Sequence, residues 1–366
     1  MKMKKLLALL LALTMALSLA ACGGGDDPAP TSGGNQPQSG QSQPKDDDTV
    51  YTWITSCNVR EDDPIAQSVT YFADILEEKS GGRIKTTVYY NGEFGVSDGE
   101  RLQMCMENTI QFVPEPGFIM APYADNLKVF YVDDYPFIYE NYEQLYTWWD
   151  SDLCQEILDL LPEALGVYGF PAYSMGYNNI TTVKKPFSAP DDIKGMKIRS
   201  ALTPLYVAAL ESFGAEVASI EWAETYTAMQ QGVCDGMSTS TSLYITANLF
   251  EVVNYLCDVG YSHFLHYGLT NCEWYDALPA DLQDIYDECV ELYQAESRRI
   301  NEAGDAGAMD RMRSEGVECY IMSDAEKQVW MDKAMSVYQN PEYVDMVGED
   351  FLRQVLTIVG KEDWLA

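Results

Sequence analysis

The chain has 366 residues, with 57 acidic against 23 basic side chains and a formal net charge of −34 at pH 7. That balance excludes nucleic acid as a partner, because phosphate binding needs a basic footprint, and it disfavours anionic lipid headgroups. The hydrophobic share of 47% is that of a globular protein, and the chain is too long for one typical core, so two lobes are expected.

The first residues read as an export signal. Lys2, Lys4 and Lys5 precede an apolar run from Leu6 to Leu19, relieved only by Thr14 and Ser18. This run is short for a membrane span, which needs roughly 20 residues. Small residues follow, so residues 1–21 have the layout of a cleaved signal peptide. Leu19-Ala20-Ala21-Cys22 resembles the bacterial lipobox, which implies that Cys22 becomes the lipidated first residue of the mature chain. Residues 22–49 are then the lipidated Cys and a flexible tether of Gly, Pro, Ser, Gln and Asp, too polar to bury a core. No later stretch approaches 18 consecutive apolar residues.

From there strands and helices alternate. Val50–Cys57 reads as a buried strand, and Asp63-Pro64 supplies an N-cap and a first-turn proline. Ile65, Val69, Phe72, Ala73 and Leu76 form one apolar helical stripe, stopped by Gly81-Gly82. Arg83–Tyr90 alternates as a strand. A short helix is expected around Gly99–Asn108 and a strand over Ile110–Val113. Leu127–Tyr139 is aromatic and broken by Pro136, Tyr142–Leu161 reads as helix, and Val167–Tyr173 returns as a strand. Met196–Arg199 is a short strand; Thr203-Pro204 opens a helix that ends near Gly214; Ala215–Ser219 is a strand; Trp222–Gln231 is a helix ended by Gly232. A long helix runs from Pro279 to about Arg299, with Leu282, Ile285, Cys289 and Leu292 on one face. This alternation implies parallel, doubly wound sheets, which bind ligands at the carboxyl ends of their strands.

Catalytic signatures are missing. No G-x-S-x-G elbow and no phosphate loop is present. His263 and His266 are the only histidines, and their flanks are aromatic, so they read as satisfied or exposed side chains and no metal is expected. No two of the nine cysteines form a C-x-x-C pair. Beyond Cys22 the other eight are compatible with disulfides, which export permits, or with buried free thiols; no bridge is assigned.

The most informative block is Asp191-Asp192-Ile193-Lys194-Gly195-Met196-Lys197-Ile198-Arg199-Ser200. Arg199 falls at a strand's carboxyl end beside a helix N-terminus, where an anion is held well, and its guanidinium suits a carboxylate. A structural ion pair with a neighbouring acid is the competing reading of the same residue.

This block resembles the D-[IL]-K-G-[LM]-K-[IL]-R signature of solute receptors of the tripartite ATP-independent periplasmic (TRAP) transporters. Phe72-Ala73-Asp74 and Glu77 to Lys85 are similar to that family's first helix and strand, and Asn91-Gly92-Glu93-Phe94-Gly95 to its G-Q-L-G turn. Tyr135-Pro136-Phe137-Ile138-Tyr139 resembles its Pro-Phe segment, and Ile220–Gly236 resembles its Glu-x-Tyr-Thr-Ala to Asp-Gly motif. The resemblance implies an α/β, two-lobed periplasmic-binding-protein-like fold with crossing strands, a ligand cleft between the lobes and a long bracing helix. One lobe takes 50–175 plus 264–303, and the other takes 176–263 plus 304–366.

It also implies an extracytoplasmic receptor, lipid-anchored to the cell membrane, that captures a small organic anion on Arg199 and delivers it to TRAP-type permease subunits. No cofactor is involved. A ligand sensor for a membrane signalling partner and an extracytoplasmic enzyme are the alternatives. Where the family has a second arginine in G-x-R-x-x-T, this chain has Asn178, or Asn179 when counted back from Lys194-Gly195. Where the family has Gln-Glu-Asn after the Asp-Gly, it has Met237-Ser238-Thr239. A monocarboxylate, or an acid with an uncharged or aromatic remainder, is therefore expected over a dicarboxylate. Trp222, Phe170, Tyr173, Ser238 and Thr239 complete the expected lining, against core packing for Trp222, hinge packing for Phe170 and Tyr173, and backbone capping for Thr239.

Overall fold

The local signals read above produce the elements they call for. In a computed structural model, which describes residues 49–365, the Asp63 carboxylate accepts the Ile65 N–H at 2.8 Å and Pro64 opens the helix Pro64–Lys79. That helix buries Ile65, Val69, Phe72, Ala73 and Leu76, the stripe expected from spacing. Gly81 and Gly82 take φ of +63° and +78°, the left-handed region that stops a helix cheaply only at glycine. The signal peptide, Cys22 and the tether lie outside the described residues.

Among the described residues nine strands make one sheet: β1 (Tyr51–Ser56), β2 (Ile84–Tyr89), β3 (Phe112–Glu115), β4 (Val167–Thr182), β5 (Lys197–Ser200), β6 (Glu216–Ser219), β7 (Gly236–Ser240), β8 (Tyr255–Asn271) and β9 (Glu318–Tyr320). Their order is β2-β1-β3-β8-β4-β7-β5-β6, with β9 added to β8. The flanks are parallel as expected: β1 pairs β2 and β3, and β5 pairs β6 and β7. The middle is not. β4 and β8 run antiparallel to each other, and β3–β8 and β4–β7 are antiparallel too.

These two central strands are 16 and 17 residues long, far beyond the usual five or six or so. The first part of β4 and the last part of β8 belong with β3; the remainder of each belongs with β7 and β9. The register between them slips at Pro171/Tyr173, Ser174/Tyr177 and Asn178/Ile180, so the pair is irregular in its middle. Sequence periodicity captures only Val167–Tyr173 of β4 and none of β7 or β8, because strands buried on both faces lose alternation.

The helix expected over Tyr142–Leu161 is three short ones, Tyr142–Trp149, Asp152–Leu158 and Leu161–Leu165. Ser151 interrupts it, its hydroxyl accepting the Cys154 N–H at 3.1 Å as a fresh N-cap. The long helix is longer than its apolar stripe suggested, Ala280–Ser314. Its buried face is Leu282, Tyr286, Cys289, Tyr293, Ser297, Asn301, Ala308 and Met312, so Ile285 and Leu292 sit at its margin. It packs on helix Pro64–Lys79, on β4 and on helix Thr241–Thr246, bracing both halves of the sheet. Trp53, Phe72, Phe112 and Tyr293 form one aromatic core, with Trp53 stacked on Phe112 at 5.6 Å. All eight described cysteines are free, six of them buried.

Two predictions follow from packing and burial. Gly236 begins β7 where a Cβ would run into the Thr181 carbonyl oxygen and come within 2.9 Å of Ile198 Cδ1. Backbone cannot swing aside as a side chain can, so Gly236→Ala should destabilise the chain by about 2 kcal/mol or more in urea unfolding. Burial also raises three carboxyls, Asp63, Asp133 and Asp305, to about 6. A raised carboxyl binds more protons folded than unfolded below pH 6, so stability should fall as pH rises from about 4 through 6. Thermal melts should accordingly show a Tm several degrees higher at pH 5 than at pH 7.5; the reverse order would refute this assignment.

Candidate functional site

The carboxyl ends of β1, β3, β5 and β6 converge on one cleft, whose interior cavity is about 70 Å3. Chains leaving β1 and β6 contribute Cys57, Asn58 and Val59 on one side, and Ile220, Glu221 and Trp222 on the other. Most of its wall is apolar or aromatic, including Ile65, Phe118, Met175, Leu243 and Phe264. The lining, mostly apolar with a few convergent polar groups, is that of a small-molecule site.

Arg199 stands at the carboxyl end of β5, 3% exposed. Lys197-Ile198-Arg199 pairs with Glu216-Val217-Ala218 of β6, which turns the Arg199 side chain into the cleft lining. Its Nε and Nη2 donate to the Ile220 carbonyl at 3.0 and 2.7 Å. Among the described residues no carboxylate forms an ion pair with it. A guanidinium has five N–H donors. The Ile220 carbonyl takes two of them, on the Nε–Nη2 edge, which leaves the Nη1–Nη2 end for a carboxylate. Trp222 flanks the group, its ring centroid 5.7 Å from the guanidinium carbon. Burial lowers the Arg199 pKa to about 10, so it remains charged at neutral pH.

The sequence-expected residues divide. Arg199, Asn178, Trp222, Ser238 and Thr239 all line the cleft. Asn178 donates to Ser262 Oγ at 2.9 Å, and Ser238 pairs with the Tyr261 hydroxyl at 2.8 Å. Asn179 faces the other way, donating to Thr241 Oγ1 and accepting from the Gly260 N–H, so of the two asparagines only Asn178 reaches the cleft.

Phe170 and Tyr173 are not in the lining. Phe170 stacks against Phe112 and meets Tyr293 edge-on in the aromatic core. Tyr173 is fully buried behind the wall and stacks on His266 at 4.9 Å. Phe170 precedes the first register slip of β4 and Tyr173 follows it, and both side chains pack in the core of the first half of the sheet.

Sequence reasoning missed a second arginine. Helix Asp98–Met106, capped by Ser97, buries Arg101, Leu102 and Cys105 on one face. Arg101 lines the cleft, held by Asp98 at 2.6 Å and Glu115 at 2.8 Å. The available signal was a charged residue on the apolar face of a short helix. His266 was read as satisfied or exposed; it is buried, lines the cleft, and has no hydrogen-bond partner at Nδ1. Burial pulls its pKa to about 3, so it is neutral. Among the described residues no cluster fit to hold a metal ion occurs, and no helix is long and apolar enough to cross a membrane.

Comparison with known proteins agrees with this architecture. Residues 55–343 match the family described as bacterial extracellular solute-binding protein, family 7. The C4-dicarboxylate-binding protein of Bacillus subtilis is 23% identical over 305 residues, covering 82% of this chain and 84% of that protein. The C4-dicarboxylate-binding periplasmic protein of Rhodobacter capsulatus is 23% identical over 298 residues, 81% of this chain and 87% of its own. Among solved structures, the sugar acid binding protein of Advenella mimigardefordensis in complex with galactonate superposes with a TM-score of 0.77 at 21% identity, over 86% of this chain and 99% of that one. A TRAP periplasmic solute binding protein of Sulfurospirillum deleyianum with bound succinate gives 0.78 at 20% identity, over 85% and 99%. These neighbours are two-lobed binding proteins, and the family is one of receptors, not enzymes. With the match spanning most of the folded chain, this protein belongs to family 7 of the bacterial extracellular solute-binding proteins, the solute receptors of TRAP transporters.

Proposed function

We propose that the chain captures a small monocarboxylate with an apolar or aromatic remainder on Arg199 and passes it to TRAP-type permease subunits. The carrying observation is a buried guanidinium with no acidic partner among the described residues, set in a largely apolar cleft. Asn178 adds an amide, Ser238 and Thr239 add hydroxyls, and the Trp222 ring closes over the bound carboxylate. Relatives and neighbours of this chain are named for C4-dicarboxylates, succinate and galactonate, all carboxylates. The apolar wall is what sets this cleft towards a less polar acid.

The two lobes of this reading are 50–175 plus 264–303 and 176–263 plus 304–366. The irregular pairing at Ser174/Tyr177 in β4 supports a hinge there. At Gly176, φ is +87° and a Cβ would collide with the Asp305 carboxylate, so the bend has room only for glycine. Closure on the ligand removes water and strengthens the Arg199 contact as the local dielectric falls. Lipidation at Cys22 holds the receptor to the outer face of the membrane.

A thermal-shift screen tests the substrate class, with phenylacetate and isovalerate as monocarboxylates and succinate and malate as dicarboxylates. Monocarboxylates should give the larger shifts; a consistent dicarboxylate advantage sinks the assignment. For the best ligand, Arg199→Ala should cost about 2–5 kcal/mol of binding, roughly 30-fold to several-thousand-fold in Kd by calorimetry. Circular dichroism of the variant should remain native. Wild-type affinity in that variant would refute the clamp.

A further inference from the structure

The cleft has a second polar end. Part of its wall comes from helix Asp98–Met106, the loop after β1, and the crossing strand β8, which brings His266. There Arg101 is 3% exposed, and its Nε and Nη1 have no hydrogen-bond partner. His266 Nδ1 beside it also has none. A buried donor or acceptor left without a partner is costly, and such groups in native structures have a reason.

This end differs from the Arg199 end in charge. Arg101 Nη2 lies 2.6 Å from Asp98 Oδ1 and 2.8 Å from Glu115 Oε1, and Asp98 Oδ1 also accepts from Asn58 Nδ2 at 2.9 Å. The positive charge is already met by Asp98, while burial pushes the Glu115 carboxyl well above the usual carboxylate range, so a second ligand carboxylate would be brought against Asp98. What remains unmet is hydrogen bonding, on the Glu115 carboxyl oxygens as well as on Arg101 and His266. Arg101 offers free N–H donors, and a neutral His266 ring keeps one bare nitrogen as acceptor. A hydroxyl is the group that answers both, accepting from the guanidinium and donating to the imidazole. A carbonyl answers only the first, and a methyl neither.

We propose that Arg101 and His266 form a specificity-determining subsite for a hydroxyl at the end of the ligand remote from its carboxylate, so that the cognate solute is a hydroxy monocarboxylic acid. This inference rests on the monocarboxylate reading above. Asp98, Glu115 and Asn58 are positioning residues that hold Arg101, and Asp98 offsets its attraction for anions.

Calorimetry of the full mature chain tests it with the straight-chain acids from butanoate to octanoate, phenylacetate and phenylpropionate. Each is used unsubstituted, with a terminal or para hydroxyl, and with a carboxyl at that same position. At one length at least, the hydroxylated acid should bind about tenfold or more tighter than its parent, and tighter than the carboxylated form. The readout in variants is that ratio, not absolute affinity. His266→Phe, which keeps the stacking on Tyr173, and Arg101→Lys should each shrink it to about twofold or less. If Arg101→Lys does not fold, His266→Phe carries the test alone. Parents that bind as well as their hydroxylated forms at every length overturn the subsite and leave the receptor reading intact. Tightest binding by a carboxylated acid overturns both the subsite and the monocarboxylate class. No binding by any acid overturns the proposed function itself.

Discussion

One buried cation without a buried anion governs this structure. Burying a charge is expensive unless something pairs with it, and proteins usually pair it or avoid it. Arg199 is buried, and among the described residues it donates to a backbone carbonyl, that of Ile220. That carbonyl supplies direction and a partial negative charge, but it does not neutralise. The folded chain therefore holds an unmet demand for an anion at a fixed place and orientation. The guanidinium is already held in place by the Ile220 carbonyl, so that side chain needs little further ordering when an acid enters the cleft.

The fold is what keeps the demand unmet. Parallel strands end together, so the carboxyl ends of β1 and β3 on one flank and β5 and β6 on the other open onto the same space. The antiparallel pair β4 and β8 joins the flanks and carries Asn178 and His266 to the cleft floor. Among the described residues the acids that could quench Arg199 are engaged elsewhere or face the mouth. Asp98 is committed to Arg101 and Asn58. Glu221 lines the cleft, and burial raises its pKa even beside Arg199, which weakens it as a competitor.

Legibility in the sequence followed the range of the interaction. Asp63, Pro64, Gly81, Gly82 and the Asp191–Arg199 block are local devices, and each could be read within a few residues of itself. So could the strand end that carries Arg199, because a β–loop–helix junction is short. The length of β4 and all of β7 and β8 could not, since their residues are buried on both faces and show no alternation. Arg101 escaped because its meaning depends on Glu115, 14 residues on, and on a cleft wall built from another strand. Phe170 and Tyr173 were misplaced for a related reason: a strand's neighbours on its two faces are chosen by tertiary packing, and here they are Phe112, Tyr293 and His266.

The surface raises a last physical question, since a chain of net charge −34 captures an anion. Surface charges act through water and are screened beyond about 8 Å at physiological ionic strength, so their repulsion is felt mainly on approach. In the proposed capture the Arg199 field acts inside the cleft, where a lower dielectric makes the same charge count several times more at contact. Repulsion outside and attraction inside are thus separated in space and fall on different steps. The acidic exterior slows encounter and weakens with salt, whereas the buried guanidinium lengthens residence and is largely indifferent to it. Selection among acids then takes place after entry, on the fit of the uncharged part of the ligand to the apolar wall. A shared exterior repulsion applies alike to acids of the same charge and cannot choose between them.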